Sequence, residues 1–254
     1  MKHESVKILG VPLSCCSFEE ILESIHDGIK NRLRGYISIT NTESVYYANK
    51  IPSHLEYIEN ARFSCCDGYG LVLAGKMLGH SIHRLHGPDL MLQCCEYGVK
   101  MKWRHFFYGG KKEVPELLSA KLTDRFPGMI TAGAYSPPFR ALSSEEENAI
   151  IDRINKAKPD ILWVGLGLLK QESWIADHLD KINVPWMVGV GAAFDFHSGT
   201  IKRAPRFYRR IGLEWFYRTV FEPRLIPRQV RAFKLLFTVS KEAMLAKLKK
   251  WIQI

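Results

Sequence analysis

Residues 159–179 have the sequence PDILWVGLGLLKQESWIADHL, in which an apolar run ends in two glycines and is followed by a mixed polar and apolar segment. A short apolar run bounded by proline and glycine is typical of a strand that is buried on both faces. The segment after the glycines has the composition of a helix. This stretch therefore predicts one strand and one helix of a parallel α/β sheet.

The same alternation of strand and helix recurs along the chain. Residues 6–14 are predicted as a short strand or hairpin arm, and residues 17–33 as a helix that begins with a capping box formed by Ser17 and Glu20. Further strands are predicted at 36–40, 61–66, 105–110 and 184–191. Strands and helices at this spacing predict a Rossmann-like fold, in which helices cover both faces of a parallel sheet.

Positive charge is concentrated at the C-terminal end of the chain. Residues 202–254 contain 14 Lys and Arg and 3 acidic residues, a net charge of +11, whereas residues 1–201 contain 22 basic and 23 acidic residues. We therefore predict an α/β domain over 1–201 and a basic C-terminal appendage over 202–254. Such a field attracts phosphodiester backbones, acidic lipid headgroups or diphosphate-bearing substrates.

The end of the appendage has the pattern of a basic amphipathic helix. Its apolar positions share one face at helical spacing: Val230, Phe233, Phe237, Met244, Leu248 and Trp251. Lysines flank that face: Lys234, Lys241, Lys247, Lys249 and Lys250. The pattern suits a helix that lies in an anionic membrane interface, and a helix packed on the core is the alternative.

Several common activities lack their sequence signatures. The chain has no GxGxxG fingerprint, Walker motif, GxSxG elbow, HExxH pair or Asp-x-Asp triplet, which argues against P-loop NTPases, ordinary α/β hydrolases and zincin proteases. His83 and His86 are interpreted as surface or packing residues, and the six cysteines, in three adjacent pairs, as reduced thiols. We expect no metal and no cofactor. The absence of a signal peptide and of an apolar span predicts a cytoplasmic protein.

Six motifs follow one another along the chain: TNTE (40–43), DGYG (67–70), RLHGPDL (84–90), GLGLLKQE (165–172), GVGAAFDFHSGTIKRAP (189–205) and GLEWFYRTVFEPR (212–224). In this order, and over residues 7–231, the chain resembles the TagA/CpsF/WecG family of bacterial glycosyltransferases, glycosyltransferase family 26.

The resemblance implies an inverting, metal-independent enzyme. Such an enzyme moves a sugar, commonly of the N-acetylmannosamine type, from a UDP-sugar to the 4-hydroxyl of N-acetylglucosamine on undecaprenyl diphosphate. The product enters teichoic acid, enterobacterial common antigen or a related surface polysaccharide. Family members are cytoplasmic and associate peripherally with the inner face of the membrane through a C-terminal appendage, so an anionic membrane surface is an expected partner.

The resemblance also implies roles for particular residues. Asp67, at a strand end beside glycines, corresponds to the proposed catalytic base. From its place in the AFDF segment, Asp195 is interpreted as structural or as a partner of another site residue, and not as a competing base. Asn41 and, less directly, Thr40 correspond to sugar- or phosphate-binding positions. The other expected substrate-binding residues are Arg84, Gln171, Arg218, Arg224 and Arg228. The last three fit a clamp for the donor diphosphate.

Alternatives stay open from the sequence. A UDP-hexose or UDP-uronic acid donor would serve exopolysaccharide synthesis by the same chemistry. A non-catalytic membrane scaffold would need the appendage but not Asp67. A nucleic-acid-binding protein would use the basic tail and its aromatic residues, although no nucleic acid partner is expected. The chain also leaves open whether it forms a homo-oligomer.

Overall fold

A computed structural model of the protein describes residues 4–252, and the side chains in that range except those of 206, 209 and 246–252. The described chain forms eight strands: β1 (Ser5–Ile8), β2 (Val11–Ser14), β3 (Gly35–Thr40), β4 (Phe63–Cys66), β5 (Arg104–Gly109), β6 (Ile130–Tyr135), β7 (Ile161–Gly165) and β8 (Trp186–Gly189).

The helices that follow these strands are α1 (Phe18–Lys30), α2 (Thr42–Ala48), α3 (Pro52–Asn60), α4 (Tyr69–Met77), α5 (Gly87–Met101), α6 (Val114–Arg125), α7 (Ser144–Ala157), α8 (Lys170–His178) and α9 (Ala193–Ser198). The C-terminal part contains α10 (Arg206–Arg210), α11 (Glu214–Phe221), a 3₁₀ turn (Pro223–Leu225) and α12 (Ile226–Ile252). The predicted capping box of Ser17 and Glu20 opens α1.

The strands form one sheet in the order β1-β2-β4-β3-β8-β7-β5-β6. The β1–β2 hairpin is antiparallel, and every other pair is parallel. Side chains alternate between two cores, so that Leu162 packs on one face of β7 and Trp163 on the other. Helices α1, α5, α6 and α9 contribute to one core, and α2, α3, α4, α7 and α8 to the other. The prediction of a parallel α/β sheet covered on both faces is confirmed.

Strand β6 and helix α7 were not predicted from the sequence. Strand β6 has the sequence ITAGAY, lies at the sheet edge beside β5 alone, and every residue in it is half-buried. Because an edge strand buries less side-chain surface, it needs no continuous apolar run, and small residues such as Gly133 interrupt the pattern. A β-bulge between His105 and Phe106 further disturbs the pairing.

The cysteines are free thiols, as expected, and all but Cys15 are buried. Burial raises the pKa of Cys16 to about 11 and that of Cys66 to about 12. These side chains are therefore protonated at neutral pH and act as small apolar packing groups.

Helix α12 has two apolar faces. Leu235 and Val239 are buried in the core on the side of α2 and α4. The predicted apolar face points to solvent over its described part, where Phe233 and Phe237 are 57% and 73% exposed. Leu248, Trp251, Lys247, Lys249 and Lys250 lie outside the described side chains. Within residues 4–252, no helix is long and apolar enough to cross a membrane.

We predict that Gly109→Ala lowers the free energy of unfolding by about 2–4 kcal/mol, through backbone strain and overpacking. Gly109 has a φ of +119°, and an added Cβ would lie 2.7 Å from the carbonyl carbon and oxygen of Gly165 on β7. Gly10→Ala is the matched control, because Gly10 has a φ of +81° and open space around it. Urea denaturation measures both, and equal losses would contradict the steric argument.

Candidate active site

A cleft of about 1230 Å³ opens at the carboxyl end of the parallel strands, where α/β proteins place their ligand contacts. Its floor comes from the residues that follow β3, β4, β7 and β8, including Asn41, Asp67 and Gly191. One wall comes from the predicted appendage, through residues such as Trp215 and Arg228. Two segments distant in sequence therefore share one cavity.

Asp67 lies directly after β4 and faces this cleft. Its backbone N–H donates to the Thr40 carbonyl oxygen at 2.7 Å, which continues the β3–β4 ladder by one residue. Gly68 follows with a φ of +103° and precedes helix α4. Nε2 of His86 lies 3.7 Å from Oδ1 of this carboxylate. The backbone turns at Gly68, and the Asp67 carboxylate borders the open cleft. This position suits a base that acts on a bound hydroxyl.

Asn41 lines the cleft and also caps a helix. Its Oδ1 accepts hydrogen bonds from the backbone N–H groups of Glu43 and Ser44, at 2.8 and 3.1 Å. Thr40, by contrast, is fully buried and does not line the cleft. Its hydroxyl pairs with those of Ser38 and Ser64 at 3.0 and 2.9 Å. Adjacent strand residues point to opposite faces, so Thr40 supports the sheet beneath the site.

Arg84 lines the cleft and is half-buried. Its Nη2 donates to Oε2 of Glu214 at 3.4 Å, and its guanidinium lies over the ring of Tyr69 at 4.9 Å. These contacts hold the guanidinium in one position at the cleft wall.

Gln171 lines the cleft from the first turn of α8 and is largely buried. Its Oε1 accepts from the backbone N–H of Gly191 at 3.0 Å, and its Nε2 donates to Oε1 of Glu172 at 3.0 Å. Burial raises the pKa of Glu172 to about 7. The amide of Gln171 therefore joins the start of α8 to the loop after β8.

The three appendage arginines of the predicted clamp all line the cleft, and each is held by a carboxylate. Arg218 and Arg224 both bind Glu222, with N–O distances of 3.1 and 2.7 Å. Arg228 lies 3.5 Å from Glu43, which also binds Arg231. Burial lowers the pKa of Arg228, and the Glu43 and Asp67 carboxylates oppose that shift.

The structure brings seven of the eight predicted residues to one cavity and leaves Thr40 beneath it. It also gives roles to residues for which the sequence interpretation had none. Glu43 lies in the TNTE motif and pairs with the appendage, and His86 lies in the RLHGPDL motif beside Asp67. Among the described residues, no group of three or more His, Cys, Asp or Glu side chains could hold a metal ion.

We predict that, as pH rises from 5 to 8, the free energy of unfolding of the wild type falls by on the order of 2 kcal/mol relative to that of Glu172→Gln. The folded state keeps Glu172 protonated up to about pH 7, whereas the unfolded chain ionises near its ordinary pKa of 4.5. The contribution of Glu172 to the free energy of unfolding is thus complete below its unfolded-state pKa of 4.5 and is lost as pH rises through its folded-state pKa of about 7. Urea denaturation of both proteins across this range measures the difference, and parallel curves would contradict it.

Comparison with known proteins agrees with the motif order. The profile of the glycosyl transferase WecG/TagA/CpsF family matches residues 6–249. The chain is 31% identical over 226 residues to the N-acetylglucosaminyldiphosphoundecaprenol N-acetyl-beta-D-mannosaminyltransferases of Staphylococcus aureus strains NCTC 8325 / PS 47, COL and N315, a match that covers 88% of the chain and 87% of each relative. The chain therefore belongs to the WecG/TagA/CpsF family of glycosyl transferases.

Proposed function

We propose that the protein transfers an N-acetylmannosamine-type sugar from a UDP-sugar to the 4-hydroxyl of N-acetylglucosamine on undecaprenyl diphosphate, with inversion at the transferred carbon. The names of the relatives support this donor sugar and this acceptor. The observation that carries the proposal is one cleft that holds both a strand-end carboxylate, Asp67, and the arginines of the appendage. The carboxylate can take the proton of a hydroxyl, and the arginines can bind a diphosphate.

The reaction is a single displacement. The oxygen of the acceptor hydroxyl attacks C1 of the donor sugar and forms the new glycosidic bond, while Asp67 takes the proton of that hydroxyl. The bond between C1 and the β-phosphate oxygen breaks, and its electron pair leaves with UDP. Because attack and departure take place on opposite faces, the configuration at C1 inverts.

Negative charge develops on the leaving diphosphate, and guanidinium groups can stabilise it in place of a cation. Arg218, Arg224 and Arg228 line the cleft, where Arg218 and Arg224 pair with Glu222 and Arg228 pairs with Glu43. Their arrangement supports a metal-independent mechanism, in agreement with the family resemblance.

The proposed acceptor is a lipid, and the surface beside the cleft has the composition of a membrane-binding site. Exposed aromatic and aliphatic side chains cluster on α11 and α12 beside the cleft: Trp215, Phe216, Val220, Phe221, Val230, Phe233 and Phe237. They alternate with the basic residues of a +11 segment. This surface suits peripheral binding to the anionic inner face of the cell membrane by a cytoplasmic enzyme.

We predict that Asp67→Asn lowers acceptor-dependent release of UDP by about 10²- to 10⁴-fold, because the amide cannot take the proton. The assay uses a panel of UDP-sugars with a short-chain lipid diphosphate N-acetylglucosamine, in the presence of EDTA. Wild-type turnover should survive EDTA, and a UDP-hexose or UDP-uronic acid as the active donor would redirect the donor assignment.

Asp195→Asn is the matched control, because Asp195 lines the same cleft but its carboxylate accepts a hydrogen bond from Thr200 at 3.3 Å. This variant should keep most of the activity. No turnover by the wild type with any donor, together with intact binding to vesicles or nucleic acid, would overturn the enzymatic proposal in favour of a scaffold or a nucleic-acid-binding protein.

We predict that Asn41→Asp keeps the stability of the protein but loses transferase activity, because a carboxylate cannot donate a hydrogen bond to the substrate. Asn41→Ala should lose activity and also part of the stability. Asp retains the oxygen that caps α2, so its unfolding free energy should stay near that of the wild type. Alanine removes the cap, at a cost of about 1 kcal/mol. Thermal unfolding and UDP release measure the two effects, and full activity of Asn41→Asp would show that the side chain serves only as a cap.

A further inference from the structure

We propose that His86 is a positioning residue for the base Asp67, and that Arg203 fixes the tautomer in which His86 does this; the inference rests on the proposed function. His86 lies at the N-terminal end of α5, lines the cleft and is almost enclosed. Arg203 comes from the segment before α10 and contacts the same imidazole ring.

The contact between Arg203 and His86 determines which ring nitrogen carries the proton. Nη2 of Arg203 lies 3.0 Å from Nδ1 of His86. A guanidinium has donors and no acceptor, so Nδ1 must accept this hydrogen bond with its lone pair. The proton of the neutral imidazole therefore resides on Nε2.

Nε2 faces two carboxylates, Oδ1 of Asp67 at 3.7 Å and Oε2 of Glu214 at 3.9 Å. At these distances a small movement of the ring or of Asp67 brings the N–H within hydrogen-bonding range of Oδ1. Donation to Oδ1 fixes the rotation of the carboxylate and leaves Oδ2 to receive the proton of the acceptor hydroxyl. Apo sites commonly have such long contacts, which tighten when substrate binds.

The charged groups around His86 favour the neutral imidazole. The ring is faced by Asp67, Arg84, Asp89, Arg203 and Glu214. Burial lowers the pKa of His86, and the two guanidinium groups lower it further against the opposing carboxylates. A proton on Nδ1 would also point at Arg203. His86 is thus a neutral hydrogen-bond donor and does not exchange protons with the substrate.

Arg203 is itself held by two carboxylates, so the fold keeps its guanidinium beside Nδ1 of His86 and thereby selects the tautomer of that ring. Its Nη1 and Nη2 bind the Asp89 carboxylate at 2.7 and 3.1 Å, and its Nε donates to Glu214 at 3.1 Å. Asp89 belongs to α5 and Glu214 to the first turn of α11. The orientation of His86 therefore depends on the docking of the segment around Arg203 and Glu214 onto the α/β layer.

The test compares four variants in the UDP-release assay with saturating donor: His86→Phe, His86→Asn, His86→Gln and, as the matched control, His83→Phe. His83 is exposed and lies three residues earlier in the same loop. Gln places an amide nitrogen three bonds from Cβ, as Nε2 is, whereas Asn places its nitrogen at the position of Nδ1. Thermal unfolding and the affinity for UDP by calorimetry are measured for each protein.

We expect kcat of the Phe and Asn variants to fall about 10- to 100-fold, with the UDP affinity and the KM for the acceptor within about 3-fold of the wild type. The Gln variant should return to within about 3-fold of wild-type kcat, and His83→Phe should not differ from the wild type. If the Phe variant does not fold, the contrast between Asn and Gln alone decides the question.

Two results would overturn the inference. Wild-type kcat in the Phe and Asn variants would remove any role for His86, and equal loss in Asn and Gln would assign it to packing alone. Failure of the proposed function gives a different pattern, since the wild type would then show no turnover, or Asp67→Asn would turn over at the wild-type rate.

Discussion

Arg203 makes the contact on which the geometry of the cleft depends. Its side chain binds Asp89 on α5 and Glu214 on α11, and only about one tenth of the Arg203 and Glu214 side chains is exposed. Removing one partner from such a buried group leaves an uncompensated charge, at a cost of about 3–5 kcal/mol. The arrangement therefore favours the docked position of the C-terminal segment in which Arg218 and Arg228 line the cavity that Asp67 faces.

The charge of the C-terminal segment divides into two groups when the chain folds. Arginines that face the α/β layer or the cleft are paired with Glu43, Asp89, Glu214 or Glu222. Lysines such as Lys234 and Lys241 remain exposed beside the apolar side chains of α12. A net charge of +11 therefore supplies both guanidinium groups that are paired with carboxylates at the cleft and a diffuse positive field at the surface. In the function that we propose, the paired guanidinium groups would recognise a phosphate by geometry, and the exposed lysines would attract an anionic surface at longer range.

The sequence predicted the fold well because the buried strands are apolar on both faces and end in glycines or polar residues. Strand β7 is the clearest case, and the edge strand β6 was missed because an edge position needs no such run. The order of six motifs predicted the family, and the location of Asp67 and Asn41 at strand ends predicted that they share an edge of the sheet. Thr40 could not be separated from Asn41 by sequence, since only the register of β3 assigns its side chain to the interior.

Contacts between distant segments were beyond sequence reasoning. Glu43 and Arg228 are 185 positions apart, and His86 and Arg203 are separated by 117. Nothing in the local pattern of either segment specifies the other, because each contact exists only in the folded chain, the first of them where α12 packs on α2. An isolated histidine or glutamate in a loop is therefore interpreted as a surface residue until the fold is known.

The carboxylates that hold the arginines also bear on how a diphosphate binds. A free arginine loses up to about 2 kcal/mol of side-chain conformational entropy when it is ordered, and three such losses would weaken binding considerably. Glu222 and Glu43 already pair with the half-buried Arg218 and Arg228 in the folded protein, so a ligand would meet these two donors in place, whereas the side chain of Arg224 is 73% exposed. The same carboxylates oppose an incoming anion by Coulomb repulsion, and the ligand must offer a higher charge density than they do. A diphosphate meets that condition and a neutral sugar does not, so the clamp that we propose would favour the part of the donor that becomes more negative as the bond to C1 breaks.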